Sequence, residues 1–395
     1  MASNQFAYIM LNILISELTK YYFWDFDFEK AVCNHGFFMM APNRWCPETK
    51  TLQRPLRLAD GSTSVIAFIA HTPGDICLRV QISGVKHLSE KDTAFIKCQV
   101  NRMLRLSEIL EDFYKKHPAA KEKGFRLFRS PTLFEDAVKC ILLCNCSWKK
   151  TLSMAESLCN LQHTLAYVLK NETYIAKRQG KKFIPHAEVI LKGKTQPLNK
   201  RAKLELNPSI EGMANFPSSK ELAMVDVDYL NMHCNLGLRA KVIIDLAISI
   251  ESGKLNLKEY ESPLLTIGSI DGDVSWFPYD DISRQLKKIN GLGPVTCANI
   301  MMCIGFYHQI PTDTESIRFI REKYDRENCS SETIENDLKE IYGKYEPYQC
   351  LAYRFEVLNE YESTVGKLSE LASSEYHTLT RRIKSKERVG ESNGE

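Results

Sequence analysis

Residues 286–319 read LKKINGLGPVTCANIMMCIGFYHQIPTDTESIRF, and this stretch decides the fold. An amphipathic run leads into a short connection that contains Gly291 and Gly293, and a second run with an apolar face follows. Two glycines so close together let the backbone take positive φ and approach another molecule closely. The free amides at the start of the second helix suit an anion such as a phosphate. The pattern therefore predicts a helical hairpin that binds phosphate.

Asp313 follows in the segment Pro-Thr-Asp at 311–313, which predicts the start of a third helix. A carboxylate at a helix start is stabilised by free amides and by the helix dipole. Two interpretations are open. Asp and Thr are ordinary helix starters, and Thr312 with Glu315 forms a capping-box pattern. Alternatively, a fixed carboxylate beside a phosphate anchor serves chemistry on a nucleotide.

The composition excludes several classes of protein. With 395 residues the chain is long enough for two domains. The net charge of +3 excludes a global polycation, so any basic surface must be local. The 13 cysteines are scattered, many of them inside apolar runs. This usage favours buried thiols in a reducing compartment over a disulfide framework.

The order of patterns predicts an α+β fold, in which a small N-terminal antiparallel β-sheet domain precedes a mostly α-helical core. Three runs rich in β-branched residues, at 52–58, 64–70 and 76–82, indicate strands. Helical periodicity predominates afterwards. It predicts helices at 90–106, 107–114, 131–143, 148–160, 219–224, 239–251, 280–288, 294–304, 313–323, 332–342 and 347–361.

These patterns divide the chain into five parts. We predict an N-terminal helical extension (1–26), a domain of antiparallel sheet plus helices (27–125), a helical domain (126–162 and 213–375), a basic mobile insertion (163–212) and a disordered tail (376–395). The insertion is either a solvated loop or a source of sequence-independent attraction to phosphate.

The hairpin and the aspartate together resemble the signature of the helix-hairpin-helix (HhH-GPD) superfamily of base-excision DNA glycosylases. In that family an Ile/Leu-x-Gly-Val/Leu-Gly hairpin precedes an apolar helix and a Pro-Val-Asp-Thr segment. Here these motifs lie at 289–293 and 311–314, with Asn290 in place of the usual Pro and Thr312 in place of the usual Val. Residues 134–147, 216–223, 236–241 and 345–353 are similar to further segments of the family. The resemblance covers most of residues 27–375 and is closest to the branches for oxidised guanine and alkylated purines.

The resemblance implies a DNA N-glycosylase of base excision repair that flips a damaged base out of duplex DNA and hydrolyses its N-glycosidic bond. The two branches named above imply that this base is a purine. Asp313 is the implied catalytic residue, because a carboxylate stabilises the developing oxocarbenium sugar and activates water. In branches that also cleave the strand, a lysine stands two residues after the second hairpin glycine, where this chain has Val295. Valine cannot form a Schiff base, which implies a monofunctional enzyme. The alternatives are a bifunctional glycosylase and AP lyase that uses another lysine, and a catalytically inactive DNA-binding protein.

The resemblance also implies the contacts with DNA. Gly291, Gly293 and Thr296 are expected to meet phosphate at the hairpin. Asn145 is expected to enter the space left by the flipped base, and Lys150 to contact the opposite strand.

Other site residues keep two interpretations each. Trp148 is either a wedge in DNA or part of the core. Arg239 and Lys241 contact phosphate or form an internal salt bridge. The base-pocket positions of the family correspond to Phe38, Asn299 and Tyr353, which suit stacking and edge reading of a flipped base and are also ordinary interior residues.

The expected partner is double-stranded DNA that contains a damaged base, bound by a monomer without membrane association. Only Cys329 and Cys350 follow Asp313, so the four-cysteine iron–sulfur cluster of some branches is not expected. His35 and His308 lack metal-ligand spacing, and no metal site is predicted. The resemblance does allow a potassium or sodium ion at the hairpin carbonyls. The substrate implies residence in the nucleus, with an organelle as the alternative.

Overall fold

The computed structural model describes residues 8–15, 26–108, 110–178, 213–261 and 277–379. Within these ranges the strands form one antiparallel sheet with the order β1-β5-β4-β3-β2. The strands are β1 (Ile9–Leu14), β2 (Arg44–Cys46), β3 (Thr51–Arg57), β4 (Ser64–His71) and β5 (Cys77–Ser83). The three predicted strands are confirmed as β3, β4 and β5, and each of their ends lies within one residue of its predicted position.

β1 corrects one prediction. It lies in the range 1–26, which we expected to be helical, but it pairs with β5 and places Ile9 opposite Ile82. Met10 and Asn12 are exposed and alternate with inward-facing apolar side chains. This period of two buries one face of a strand, whereas the prediction rested on apolar composition. The rest of the extension, residues 1–7 and 16–25, lies outside the described residues.

The helices of the sheet half are α1 (Phe28–Val32), α2 (Glu90–Leu104), α3 (Glu111–Lys116) and α4 (Pro118–Glu122). The helical half contains α5 (Leu133–Leu143), α6 (Trp148–Arg178), α7 (Ser219–Leu222), α8 (Val227–Cys234), α9 (Arg239–Glu251), α10 (Phe277–Lys287), α11 (Pro294–Ile304), α12 (Thr314–Tyr324), α13 (Ile334–Tyr342) and α14 (Gln349–Val365). The predicted fold class is confirmed, although α1, α4 and α8 were missed. In the described ranges no helix is long and apolar enough to cross a membrane.

Two predicted boundaries are wrong. α6 runs to Arg178, so the first part of the insertion 163–212 is helical, and residues 179–212 lie outside the described residues. The predicted tail 376–395 starts with a packed residue, because Tyr376 is buried and its ring contacts Phe38 with 5.7 Å between centroids. Residues 380–395 also lie outside the described part of the chain.

One hydrophobic core continues from the sheet into the helices, and a buried cluster of charges ties the two halves together. Arg54 on β3 lies 3.1 Å from the carboxylate of Glu135 on α5, and Lys139, one turn further on, lies 2.8 Å from it. All three side chains are almost fully buried. Burial alone raises the pKa of Glu135, but Arg54 and Lys139 outweigh it and lower that pKa to about 2.

Two arginines, Arg105, which is buried, and Arg129, which is partly buried, hold the C-terminal end of α11. Arg105 donates hydrogen bonds from Nη2 to the carbonyls of Met302 at 2.9 Å and Cys303 at 3.2 Å. Arg129 donates from Nη1 to the carbonyl of Cys303 at 2.6 Å. The last carbonyls of a helix have no partner within it and carry the negative end of its dipole. Both arginines therefore fix the end of this helix.

We expect Glu135→Gln to lower the free energy of unfolding by about 3 kcal/mol, because it leaves Arg54 and Lys139 buried without a counter-charge. Urea unfolding at neutral pH measures the loss. Glu122→Gln, on the exposed surface of α4, serves as the matched control and should change little.

The charge of Glu135 also predicts how the stability of the protein depends on pH. Because the pKa of Glu135 is depressed to about 2, its contribution is complete above the pKa of the unfolded carboxyl, ~4.3, and is lost as the pH falls towards 2. The difference in stability between the wild type and Glu135→Gln should narrow over that interval. A difference that stays constant would contradict the assignment.

Candidate active site

The predicted hairpin joins α10 to α11. The chain turns through Gly291, whose φ is +95°, and α11 begins after Gly293. Ile289 and Leu292 are buried and anchor the turn, whereas both glycines are exposed. No side chain of the described residues caps the start of α11. Its first amides are therefore free to bind an anion.

The hairpin packs directly on α9 and is tied to the turn between α5 and α6. A Cβ added at Gly291 would lie 2.4 Å from Cγ2 of Val242 on α9. The hydroxyl of Thr296 lies 2.7 Å from the thiol of Cys144, and Thr296 is buried. The side chain of Thr296 thus faces the protein, and its amide is the group left for the predicted phosphate contact.

Asn145 lies on that same turn. It is exposed and adopts the left-handed region, with φ of 45°. Arg239, the first residue of α9, donates from Nη2 to the carbonyls of Cys144 and Asn145, the latter at 2.9 Å. Of the two interpretations of Arg239, the internal contact is the one observed, with backbone carbonyls in place of a carboxylate. α9 therefore braces both the hairpin and the turn that carries Asn145.

The remaining predicted DNA contacts differ in their surroundings. Lys150 is exposed on α6. Lys241 is exposed as well and pairs with Asp245 one turn along α9. Trp148 donates from Nε1 to the carbonyl of Tyr376 at 2.9 Å, and its ring contacts Gly36 so closely that a Cβ there would lie 2.7 Å from Cη2. The indole of Trp148 therefore packs within the protein, as its core interpretation requires.

Asp313 caps α12. Its Oδ1 accepts hydrogen bonds from the amides of Glu315 at 3.0 Å and Ser316 at 2.9 Å, and its own amide donates to the Ser316 hydroxyl at 2.7 Å. The capping box thus joins Asp313 to Ser316, not Thr312 to Glu315 as the sequence suggested. Asp313 is exposed, and its Oδ2 accepts no hydrogen bond from the described residues. One oxygen fixes the side chain, and the other is available.

The carboxylate of Glu315, the next one along the chain, is engaged within the protein. It accepts a hydrogen bond from the hydroxyl of Tyr361 at 2.6 Å and pairs with Arg318 at 2.7 Å. Asp313 is therefore the carboxylate at the start of α12 that is free to act on a ligand.

A cleft of about 590 Å³ opens beside Thr312, the residue before Asp313. Its lining includes Pro294 and Val295 from the first turn of α11. The start of the hairpin helix and the chain leading into Asp313 thus share one cleft. Lys287 and Gln349 also line it, and the Oε1 of Gln349 is buried without a hydrogen-bond partner in the described residues.

The predicted base-pocket residues are mainly buried. Phe38 is fully buried, and Tyr353 packs edge-on against Phe319 with 5.5 Å between centroids. Asn299 donates from Nδ2 to the carbonyl of Val295 at 3.0 Å, and its Oδ1 accepts from Nη2 of Arg354 at 3.0 Å. Both ends of the Asn299 amide are therefore engaged within the protein.

Two residues of the site were missed by the sequence analysis. Leu238 precedes Arg239 and is 92% exposed. A single exposed leucine needs no explanation, but this one lies beside the arginine that braces Asn145. Arg354, on α14, donates a hydrogen bond to Asn299 on α11. Its signal in the sequence is a single charge inside the apolar run 350–355, CLAYRF.

Comparison with known proteins identifies the fold. No protein-family model matches the chain, and no curated protein matches it. Among solved structures, the 3-methyladenine DNA-glycosylase from Archaeoglobus fulgidus is similar with a TM-score of 0.54 and 14% identity, over 84% of this chain and 95% of that chain. The predicted resemblance to DNA glycosylases is thus confirmed at the level of the fold.

Two weaker similarities are to proteins solved with DNA. One is MBOgg1 in complex with a low-affinity DNA ligand, with a TM-score of 0.48 and 19% identity over 77% of this chain and 86% of that chain. The other is the 8-oxoguanine glycosylase/lyase of Clostridium acetobutylicum with DNA containing cytosine opposite 8-oxoguanine. Its TM-score is 0.45, with 17% identity over 78% of this chain and 88% of that chain.

We expect Gly291→Ala to lower the free energy of unfolding by more than about 1 kcal/mol, because alanine is strained at positive φ and its Cβ overlaps Val242. Gly293→Ala is the control, since no atom lies within 4 Å of the added Cβ. In the double variant with Val242→Ala, the effect of Gly291→Ala should shrink by at least about 0.5 kcal/mol. Urea unfolding is measured for the wild type, the single variants Gly291→Ala, Gly293→Ala and Val242→Ala, and the double variant. Strict additivity would contradict the packing of the hairpin on α9.

Proposed function

We propose that the protein is a DNA N-glycosylase that flips a damaged base from duplex DNA and hydrolyses its N-glycosidic bond with Asp313 and water. The observation that carries the proposal is the exposed carboxylate of Asp313, fixed through Oδ1 by two amides. It follows Thr312, which lines one cleft together with the first turn of α11 after the glycine hairpin. A fold shared with a 3-methyladenine DNA-glycosylase supports it. Residence in the nucleus, or in an organelle that contains DNA, follows from this substrate.

In the proposed reaction the bond between C1′ of the deoxyribose and the base nitrogen breaks, and its electron pair leaves with the base. The negative charge of Asp313 stabilises the oxocarbenium sugar that remains. Water adds to C1′, and its proton passes to the free Oδ2 of Asp313. The departed base then takes a proton from solvent. Because Oδ1 is held by α12, the carboxylate needs no reorganisation during the reaction.

The hairpin and the turn at Asn145 supply the proposed DNA contacts. Amides at the start of α11 bind a phosphate, and the exposed Asn145 fills the space left by the flipped base. Leu238, which is exposed beside Arg239, is suited to wedge between base pairs, as apolar side chains do in DNA that is bent or opened. Unstacking a base takes a few kcal/mol, and these contacts offset it.

The proposed enzyme lacks lyase activity, because Val295 lines the cleft where an attacking amine is required. One observation favours the bifunctional alternative, since Lys287 lines the same cleft. A DNA-binding protein without activity is the other alternative. It is disfavoured by the exposed Asp313, because an anion beside a phosphate site weakens binding.

We expect Asp313→Asn to lower the single-turnover rate of base release by at least about 1,000-fold, since asparagine cannot stabilise a cationic sugar. Folding should be retained, because asparagine caps helices as well as aspartate does. Released bases are measured by mass spectrometry from duplexes carrying oxidised, alkylated and deaminated bases.

Asp226→Asn is a matched control for that experiment. Asp226 caps α8 by accepting a hydrogen bond from the amide of Tyr229 at 2.7 Å, so the change of charge and capping group is the same. The control should keep wild-type activity. Full activity in Asp313→Asn would overturn the catalytic assignment.

A gain of function tests the role of Val295. In the wild type, strand breaks should appear only after alkali, and borohydride should trap no protein–DNA adduct. Val295→Lys places an amine in the cleft and should produce a trapped adduct. Trapping by the wild type that is lost in Lys287→Gln would instead establish the bifunctional alternative.

A further inference from the structure

Arg354 is a cation whose hydrogen-bonding capacity is only partly used by the protein. It lies on α14, and its Nη2 donates to Oδ1 of Asn299 at 3.0 Å. Its Cζ lies 5.6 Å from the centroid of the Tyr353 ring. Its Nε–H is buried and has no hydrogen-bond partner in the described residues. An arginine carries five N–H donors, and at least the Nε–H of Arg354 is left without a partner in the described residues.

Other arginines that are buried or partly buried in the described residues have ion pairs or several carbonyl partners. Arg54 pairs with Glu135 and Arg105 with Glu108, and Arg129 donates to backbone carbonyls at the end of α11. Arg354 forms no ion pair with a carboxylate within the described ranges. Arg354 is only partly buried, but its buried Nε–H without a hydrogen-bond partner is unfavourable. The exception therefore points to a partner that is not part of the protein.

Two hydrogen bonds link Arg354 to the wall of the cleft. Asn299, which it binds, donates in turn to the carbonyl of Val295 in the wall of the cleft. Burial lowers the pKa of Arg354, but the ionisable groups around it, Asp313 among them, raise it above its usual value. The guanidinium therefore stays charged within electrostatic reach of the carboxylate that acts on the sugar.

The charge of the flipped base decides whether a nearby guanidinium favours or opposes its release. A neutral base leaves C1′ with an extra electron pair, so negative charge develops on it, and a nearby cation stabilises that charge. A purine alkylated on a ring nitrogen carries a positive charge before the bond breaks and leaves as a neutral molecule. A guanidinium repels this substrate and gains nothing from its departure.

We propose that Arg354 selects the base, by donating hydrogen bonds to carbonyl or ring-nitrogen acceptors of a neutral flipped base and by stabilising the negative charge on that base as it leaves. The substrates are then neutral bases with acceptor edges, and cationic N-alkylated purines are disfavoured. This proposal rests on the glycosylase activity proposed above. It predicts that 3-methyladenine, the base named for the Archaeoglobus fulgidus structure, is a poor substrate of this chain, because 3-methyladenine in DNA is cationic.

The wild-type protein gives the first test. Single-turnover base release is measured on duplexes that carry 8-oxoguanine, hypoxanthine or uracil, and on duplexes that carry 7-methylguanine or 3-methyladenine. Each rate is divided by the spontaneous rate of the same duplex. We expect at least one neutral base to be accelerated about tenfold or more over both cationic bases. Faster release of the cationic bases overturns the selection by Arg354 while leaving the glycosylase proposal intact. Release from no duplex overturns both.

Substitution of Arg354 gives the second test. Arg354→Gln should lower release of the neutral base by roughly 100-fold and shift the ratio of rates towards the cationic bases. Arg354→Lys keeps the charge and should retain part of the rate and the wild-type order of substrates. Arg326→Gln, which removes a surface arginine paired with Glu340, is the matched control and should leave the ratio unchanged.

Two measurements separate selection from a structural role. Thermal unfolding reports the stability of each variant, and the affinity for a duplex with an uncleavable abasic analogue reports DNA binding without a base. We expect Arg354→Gln to bind that duplex within about twofold of wild type, since no base contact is involved. A ratio of neutral to cationic substrates unchanged in Arg354→Gln overturns the proposal. If Arg354→Gln does not fold, the order of substrates in the wild type and in Arg354→Lys decides.

Discussion

The position of α11 is the constraint on which the rest of the site depends. Arg105 and Arg129 hold the carbonyls at its end, and Thr296 ties its first turn to Cys144. A helix held at both ends cannot slide or rotate without breaking buried hydrogen bonds, each of which is expensive to leave unmade. The hairpin, the cleft wall and the connection to Asp313 all take their positions from this helix.

α9 has a complementary role. Its first residue, Arg239, holds the exposed turn of Asn145, and its Val242 packs against the hairpin at Gly291. The two surfaces proposed to meet DNA, the hairpin and the turn of Asn145, are thus attached to one helix. Loops alone could not keep this spacing, because their conformational entropy opposes any single arrangement. The residues proposed to contact DNA lie on loops, and the helices next to these loops fix their positions.

The sequence predicted the helical half well, and the reasons for the misses are physical. Helices such as α9 and α11 were predicted to the residue because glycine or proline marks their ends. β1 was missed because its partner, β5, is distant in the chain, and a short apolar run alone fits either a helix or a strand. The cap of α12 was displaced by one residue, since both Thr312 and Asp313 are good caps. Arg354 could not be recognised, because its meaning comes from the lack of an ion pair with a carboxylate in the described residues, which only packing reveals.

The two arginines at the end of α11 also affect the electrostatic potential at its start. The negative pole of this helix is neutralised inside the protein by Arg105 and Arg129, whereas its positive pole opens to solvent at Gly293. A macromolecule with a net charge of only +3 thereby directs a local positive potential outward from one point of its surface. For the DNA binding proposed above, attraction from this one point engages few phosphates and releases few counterions, so its contribution to nonspecific affinity is small.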